Sequence, residues 1–277
     1  MKIYKTTAGI AIEHEDEFYL SSVAGWDTFI NRDDLYNQLV IELNNYTVIT
    51  REGVISSGIL APIENQEIWA AGVTYLRSMH ARMEESKDNG GGTFYDKVYD
   101  AERPEIFFKA NAQRTVGHKG LVRIRKDSTW DVPEPELTLF ITSSGNIVGY
   151  TIGNDMSSRS IEGENPLYLP QAKMYEGCAA LGPCIYVPEK PIDPGTRIEI
   201  MIERHGSSMF NESITINQMK RQHKELVDFL FRECVFPYGC FLMTGTGIVP
   251  PNSFTLQSGD VVTISIQNIG TLINTVA

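Results

Sequence analysis

Apolar residues along the chain occur mostly in short runs or in alternation with polar residues, and glycine, proline and charged residues separate these runs. Short apolar runs and period-two alternation are typical of strands. Residues 217–233 give the clearest helical spacing, and many short strands with few helices predict an α+β fold dominated by β-structure. The predicted strands include 10–12, 18–20, 68–75, 104–109, 136–142, 147–155 and 261–266, and the shorter predicted helices are 35–43 and 77–86.

A change in character near residue 67 divides the chain. The first 66 residues contain short strands and one helix that Asp33 or Asp34 can cap, and they carry no evident chemistry. From residue 67 onward, buried-strand patterns are interleaved with polar motifs. The length of the chain suffices for one large domain with a smaller appendage or for two domains of ordinary size. We therefore expect a small N-terminal domain, residues 1–66, and a main domain, residues 67–277.

Two prolines space an acidic pair in the middle of the chain. Pro133 and Pro135 push the residues before them towards extended geometry, so Val132 and Glu134 should both be extended. Side chains two apart on an extended chain point to the same face, roughly 6–7 Å apart. Glu134 and Glu136 can therefore aim at one point, where they repel each other unless a positive charge lies between them.

A predicted hairpin supplies a third carboxylate, Asp155. Residues 136–142 and 147–155 are typical of two strands around a tight turn. A two-residue loop at 145–146 pairs Asp155 with Glu136, and a loop at 144–145 pairs it with Glu134. Either register places all three carboxylates on one face, whereas a three-residue loop would place Asp155 on the other face.

Three converging carboxylates without a matching cysteine or histidine form an oxygen-only site. Such ligands suit a hard cation, Mg²⁺, Mn²⁺ or Ca²⁺, rather than Zn²⁺. The alternative interpretation is a solvated acidic edge strand that its two prolines protect from aggregation.

Charge and hydropathy exclude several classes of partner. The 277 residues carry a formal net charge of −11, which argues against nucleic acid or an anionic membrane surface as a partner. No apolar run approaches the roughly 20 residues that span a bilayer, and the charged N-terminus does not resemble a signal peptide, so we expect a cytoplasmic protein. Four cysteines without a C-x-x-C pair are expected to be reduced and buried, namely Cys178, Cys184, Cys234 and Cys240.

Two polar segments carry further candidate chemistry. Residues 77–92 combine a polar helix with three consecutive glycines, and this segment could be a lid over a site or a mobile surface loop. The turn at residues 244–248 alternates glycine with threonine and offers backbone N–H groups and hydroxyls to an oxyanion. An isolated lysine such as Lys173 is often only a solvated surface residue.

Taken together in chain order, these motifs resemble the fumarylacetoacetate hydrolase family. The resemblance covers about residues 67–277 and is closest to the dehydratases of 2-keto-3-deoxy-D-arabinonate and related sugar acids. It implies a compact mixed β roll, a divalent metal held by three carboxylates, and homodimers or homotetramers. The matching motifs are Glu134-x-Glu136, Asp155 with Ser158-Arg159, the run 161–173, Gly182-Pro183, residues 75–86, residues 244–250 and Gly259-Asp260-x-Val262.

The resemblance also implies roles for individual residues. The metal, Mg²⁺ with Mn²⁺ or Ca²⁺ as alternatives, would be held by Glu134, Glu136 and Asp155. Lys173 would transfer the proton, because a lysine near a dication and Arg159 can have a lowered pKa. The residues expected to contact the anionic substrate are Arg77, Lys109, Ser158, Arg159 and Thr246.

The implied activity is Mg²⁺-dependent dehydration of a 2-keto-3-deoxy sugar acid, a pentonate such as 2-keto-3-deoxy-D-arabinonate or -xylonate, to 2,5-dioxopentanoate. Where C–C hydrolases and decarboxylases of the family carry a His and Glu pair that activates water, this chain has Ser78 and Ala81. His80 lies two residues away, on another helix face. Two alternatives stay open: an acylpyruvate-type C–C hydrolase or oxaloacetate decarboxylase with the same metal, and a non-catalytic module that binds a metal or a sugar acid.

Overall fold

The computed structural model describes residues 1–85 and 97–277. The strands are β1 (Lys2–Thr6), β2 (Gly9–His14), β3 (Glu17–Leu20), β4 (Thr47–Ile49), β5 (Glu67–Gly72), β6 (Glu105–Asn111), β7 (Thr115–Val116), β8 (Leu121–Val122), β9 (Asp131–Ile141), β10 (Ile147–Ser158), β11 (Ala179–Tyr186), β12 (Arg197–Arg204), β13 (Ser207–Thr215), β14 (Cys240–Met243), β15 (Val261–Ile266) and β16 (Gly270–Val276). The helices are α1 (Trp26–Ile30), α2 (Leu35–Glu42), α3 (Arg51–Ser56), α4 (Leu76–Glu85), α5 (Arg159–Glu164), α6 (Leu169–Lys173) and α7 (His223–Leu230), with 3₁₀ turns at Leu43–Asn45, Ala112–Arg114, Pro166–Tyr168 and Ile216–Gln218.

Two sheets organise these elements. The larger sheet has the strand order β4-β3-β2-β1-β11-β10-β9-β14-β5-β6, with β7 paired to β11, and the smaller has the order β13-β12-β15-β16-β8. Most neighbours are antiparallel, but the pairs β14–β5, β11–β7 and β16–β8 are parallel. The prediction of a strand-rich, mixed α+β fold is therefore confirmed.

The large sheet is covered on both faces. Leu137, Leu139 and Ile141 of β9 pack in a core with the inward residues of the small sheet, and Phe140 faces a second core that α1 and α2 cover. Strands β1–β4 join the large sheet through the β1–β11 pair. The predicted boundary between residues 66 and 67 thus falls within one continuous sheet, and the division into two domains stays a prediction.

The two prolines do not mark an edge strand. β9 lies between β10 and β14, but β14 pairs with it only over Thr138–Ile141. Pro133 and Pro135 therefore occupy the part of β9 that has a single ladder partner, where a missing N–H removes no sheet hydrogen bond. All of β9 is buried, so the alternative of a solvated acidic edge is wrong.

Some local predictions need correction. The helix predicted at 217–233 is shorter and consists of α7 alone. Lys220 N–H donates to Thr74 O at 2.9 Å, and Met219 forms an isolated β-bridge with Tyr75. These backbone contacts keep the residues before α7 out of the helix. Cys178, Cys184 and Cys240 are buried and free as predicted, but Cys234 is exposed. Within residues 1–85 and 97–277, no helix is long and apolar enough to span a membrane.

Candidate metal centre

The β9–β10 hairpin brings together Glu134, Glu136 and Asp155. Asp155 pairs with Glu134, and Gly153 pairs with Glu136, so all three carboxylates share one face of the sheet. One oxygen of each carboxylate lies within 4.8 Å of the others, and the residues are 6%, 1% and 1% exposed, respectively. The structure thus brings together the three carboxylates that the sequence predicts to converge.

The turn that sets this register differs from the prediction. Thr142 N–H donates to Asn146 O at 2.9 Å, which closes a three-residue loop rather than a two-residue loop. A register shift between Ile147 and Gly149 then adds one residue to β10. Because a bulge of one residue reverses the side-chain parity, it compensates for the longer loop and returns Asp155 to the face of the glutamates.

Two lysines hold the Asp155 carboxylate, one on each oxygen. The ammonium of Lys109 contacts Oδ1, and the ammonium of Lys173 lies 3.1 Å from Oδ2. Burial raises the pKa of Asp155, but the two ammoniums together outweigh burial and hold that pKa below its ordinary value. Asp155 is therefore ionised in the folded protein.

Lys173 connects two of the carboxylates. Its Nζ donates to Glu134 Oε2 at 2.9 Å, to Asp155 Oδ2 at 3.1 Å and to Ser157 Oγ at 2.6 Å. Burial lowers the pKa of Lys173, but Asp155, Glu134 and Glu162 together raise it above its ordinary value. The carboxylates around Lys173 therefore outweigh the nearby cations of the chain, and the lowered pKa expected beside a bound dication stays a prediction.

Glu136 has the least compensated charge of the three. The backbone N–H of Gly245 donates to its Oε2 at 2.6 Å, so the turn at residues 244–248 provides a hydrogen-bond donor to this carboxylate. Burial raises the pKa of Glu136 well above its ordinary value, and the negative charges of Asp155 and Glu134 raise it further. A cation placed between the carboxylates would relieve this repulsion.

Charged residues from two helices surround the triad, and the sequence analysis assigned no role to two of them, Arg82 and Glu162. Arg82 of α4 forms an ion pair with Glu162 of α5, and Glu162 Oε1 lies 3.8 Å from Lys173 Nζ. Arg159 Nη2 donates to Glu134 Oε1 at 2.9 Å. Arg159 and Glu162 are spaced i, i+3 on α5, which is a local sequence signal, but the contact of Glu162 with Arg82 of α4 depends on long-range packing.

A further carboxylate, Glu105, lies beside the same site. Its Oε2 is buried and has no hydrogen-bond partner among the described residues. A Cβ added to Gly72 would lie 2.0 Å from this oxygen, so the carboxyl group packs directly against Gly72, which lines the cavity between the carboxylates. Burial raises the pKa of Glu105, and Arg82 opposes that rise.

The residues present fit a small, hard dication. The cavity at the triad has a volume of about 10 Å³, which matches a single water-sized sphere. Its donors are carboxylate oxygens, the ligand type that Mg²⁺ and Mn²⁺ prefer. Mutual repulsion at Glu136 supplies an electrostatic reason for a cation to bind there.

Only some of the residues predicted to contact the substrate line the cavity. Arg159 and Thr246 line the cavity, together with Lys173. Arg77 is exposed on α4, and Ser158 caps α5, with its hydroxyl donating to Ser128 Oγ at 2.8 Å. The Lys109 side chain is fully buried behind Asp155.

Part of the predicted lid lies outside the described residues, since residues 86–92 of the 77–92 segment are not among them. The part of that segment within α4 places His80 on the exposed surface and Ser78 in the cavity wall. Ser78 Oγ donates to Tyr75 O at 2.8 Å.

A family model described as fumarylacetoacetate (FAA) hydrolase C-terminal matches residues 68–277. The probable 2-keto-3-deoxyxylonate dehydratase of Haloferax volcanii is 46% identical over 241 residues, which cover 87% of this chain and 82% of the relative. The 2-dehydro-3-deoxy-D-arabinonate dehydratase of Saccharolobus solfataricus is 45% identical over 220 residues, which cover 79% of this chain and 74% of the relative.

A solved structure has the same architecture along the whole chain. The 2-keto-3-deoxy-D-arabinonate dehydratase complexed with magnesium and 2,5-dioxopentanoate is 34% identical and superposes with a TM-score of 0.82. The match covers 100% of this chain and 98% of that chain, so the likeness includes the N-terminal strands as well as the carboxylate site.

Proposed function

Since the chain belongs to the fumarylacetoacetate hydrolase family, as its motifs predicted, we propose that it is a Mg²⁺-dependent dehydratase that converts a 2-keto-3-deoxy-pentonate to 2,5-dioxopentanoate. The observation that carries this proposal is the buried triad of Glu134, Glu136 and Asp155 with the Lys173 ammonium against two of its members. Similarity to relatives named as dehydratases of the arabinonate and xylonate forms supports the pentonate assignment.

The carboxylate triad would hold Mg²⁺, which when bound supplies a Lewis acid that stabilises negative charge on the substrate's 2-oxo oxygen. Dehydration removes one proton from C3 and the hydroxyl from C4, and the leaving hydroxyl takes up a proton to become water. This elimination leaves a C3–C4 double bond conjugated with the 2-oxo group and a hydroxyl on C5. Transfer of a proton from C5 to C3 then gives the C4–C5 enol, which tautomerises to the C5 aldehyde. The chain must therefore provide one group that accepts a proton and one group that donates a proton within reach of the same ligand.

Two side chains at the cavity can hold that proton. Lys173 Nζ is a cavity-lining donor, held in place by Glu134, Asp155 and Ser157. The Glu105 carboxyl group packs against Gly72 of the cavity wall, and its Oε2 has no hydrogen-bond partner among the described residues. We assign proton transfer to Lys173, with Glu105 as the second proton carrier.

The anionic end of the substrate requires a cation at the cavity wall. Arg159 lines the cavity, and Thr246 lies beside it with 4% of its surface exposed. We assign recognition of the substrate to these two residues. The same role for Arg77 and Ser158 stays a prediction, because neither belongs to the described cavity wall.

We also infer a cytoplasmic enzyme that assembles as a homodimer or homotetramer and binds neither nucleic acid nor membranes. The net charge of −11 supports the exclusion of polyanionic partners. Exposed apolar side chains, among them Ile41 at 71% and Val48 at 67%, are the kind of surface that subunit contacts cover.

Replacing one triad carboxylate tests the proposal. Glu136→Gln keeps the size of the side chain but removes a Mg²⁺ ligand, so Mg²⁺ binding and dehydration should both be lost. Glu212→Gln, at an exposed position of β13, is the matched control and should retain both. Calorimetric Mg²⁺ titration and an assay for 2,5-dioxopentanoate measure the two effects, and unchanged Mg²⁺ affinity in Glu136→Gln would remove Glu136 from the ligand set.

A further inference from the structure

Lys109 occupies a special position in β6. Ile68 of β5 pairs with Ala110, and the next residue of β5, Trp69, pairs with Phe108, so Lys109 is an extra residue without a partner on β5. Such a bulge re-aims the side chain of the extra residue, and bulges are over-represented next to active sites. Here the bulge directs Lys109 to the buried side of the carboxylate triad.

The Lys109 ammonium ties three elements together. It contacts Asp155 Oδ1 and donates to Met156 O of β10 at 2.9 Å and to Lys173 O of α6 at 2.5 Å. The ring of Tyr175 covers the ammonium, with its centroid 5.9 Å from Nζ. An ammonium has three N–H donors, so these three oxygen acceptors use all of them and none remains for a substrate.

We propose that Lys109 is a positioning residue that fixes the Asp155 carboxylate for metal binding and does not contact the substrate. The inference rests on the proposed Mg²⁺-dependent function, and it changes the role that the sequence suggested for this lysine. By holding Lys173 O as well, Lys109 sets the end of α6 from which the Lys173 side chain reaches the same carboxylate.

Electrostatics and geometry predict opposite effects of removing this lysine. The Lys109 charge repels a dication, so charge removal alone would strengthen Mg²⁺ binding. Loss of the contact that orients Asp155 would weaken Mg²⁺ binding, because groups that hold a metal ligand in place typically contribute about 10–100-fold in affinity. The direction in which Mg²⁺ affinity changes therefore distinguishes a purely electrostatic effect of Lys109 from a positioning role.

The test compares Lys109→Gln with wild type and with Lys190→Gln, which replaces an exposed lysine. Calorimetric Mg²⁺ titration without substrate should show affinity reduced by about 10–100-fold in Lys109→Gln and unchanged in the control. At saturating Mg²⁺, Lys109→Gln should regain turnover, and its KM for the 2-keto acid should stay near that of wild type.

Equal or tighter Mg²⁺ binding in Lys109→Gln would overturn the proposal, and so would a raised KM that persists at saturating Mg²⁺. If Lys109→Gln does not fold, Lys109→Arg is tested in its place. Arginine keeps the positive charge but cannot place its N–H donors on the same three oxygens. This variant should also bind Mg²⁺ more weakly than wild type, and wild-type affinity would contradict the proposal. If the wild-type protein binds Mg²⁺ but dehydrates no pentonate, the function fails while the role of Lys109 is still tested.

Discussion

At the scale of single residues, the site is a set of buried charges that nearly balance. The cations of Lys109, Lys173, Arg82 and Arg159 face the carboxylates of Glu105, Glu134, Glu136, Asp155 and Glu162. Buried charges are costly unless they are paired, so a site with one more carboxylate than cation gains from a bound dication. With Mg²⁺ the balance becomes positive, which suits an anionic substrate.

Lys173→Met should abolish most turnover while the protein still binds Mg²⁺. The substitution removes the proposed proton carrier but leaves all three metal ligands, so we expect the rate to fall by about 10²–10⁴-fold. Lys190→Met is the exposed control. Wild-type turnover in Lys173→Met would exclude Lys173 from proton transfer, whereas a parallel loss of Mg²⁺ affinity would assign it a role in metal binding instead.

His223, at the start of α7, lies away from the carboxylate triad and makes the free energy of unfolding depend on pH. Burial lowers its pKa to about 4, from an ordinary value near 6.5. Between these two pH values the unfolded chain binds a proton that the folded protein does not. The contribution of His223 to the free energy of unfolding is therefore present above pH 6.5 and is lost as the pH falls. The loss is at most about 3 kcal/mol. His223→Gln should show a shallower loss in urea unfolding between pH 7.5 and 4.5. Parallel profiles for the two proteins would contradict this assignment.

At the scale of elements, the sequence predicted the triad and some of the residues around it, but not how distant segments pack against it. Strand parity and the proline spacing identified Glu134 and Glu136 because these signals are local. Asp155 was placed correctly although the loop was wrong, because a bulge that leaves no clear sequence pattern compensated for the extra loop residue. The Arg82–Glu162 pair and the shortened α7 depend on contacts between distant segments, which periodicity does not report.

The turn at residues 244–248 offers an element-scale prediction. Gly245 has φ of +93°, and an added Cβ would lie 2.0 Å from Thr74 Oγ1, whereas Gly206 has φ of +78° with nothing within 4 Å. Gly206→Ala should cost about 1 kcal/mol of unfolding free energy from backbone strain alone. Gly245→Ala adds overpacking and should cost about 3 kcal/mol, and it should also weaken Mg²⁺ binding because Gly245 N–H holds Glu136.

Urea unfolding and Mg²⁺ titration of the two variants provide the measurement. Equal destabilisation by the two substitutions would show that the close approach to Thr74 does not constrain the turn. Normal Mg²⁺ affinity in a folded Gly245→Ala protein would mean that its N–H does not position Glu136.

At the scale of the whole molecule, the N-terminal strands are part of the structure that supports the site. Ile3 and Ile12 pack in the same core as Leu181 and Ile185 of β11, and β11 pairs with β10, which carries Asp155. The match to a solved dehydratase structure covers 98% of that chain, which agrees with N-terminal strands that form one sheet with the strands of the site.

Removal of residues 1–66 should therefore prevent the remainder from folding on its own. The fragment 67–277 would expose the apolar face that α1, α2 and β1–β2 cover, so we expect aggregation or a loss of cooperative unfolding. Circular dichroism during thermal unfolding checks this outcome, and co-expression with residues 1–66 should restore solubility. A monodisperse, cooperatively folded fragment that binds Mg²⁺ would instead establish the predicted division into two independent domains.

The central claim is tested most directly by following the carbon skeleton of the substrate. Purified protein with Mg²⁺ is incubated separately with 2-keto-3-deoxy-D-arabinonate, 2-keto-3-deoxy-D-xylonate, an acylpyruvate and oxaloacetate, and the products are quantified by NMR. We predict that at least one pentonate gives 2,5-dioxopentanoate with its five carbons intact and no pyruvate, and that metal removal with EDTA stops the reaction. Pyruvate released from the acylpyruvate or from oxaloacetate, with no turnover of either pentonate, would contradict the account.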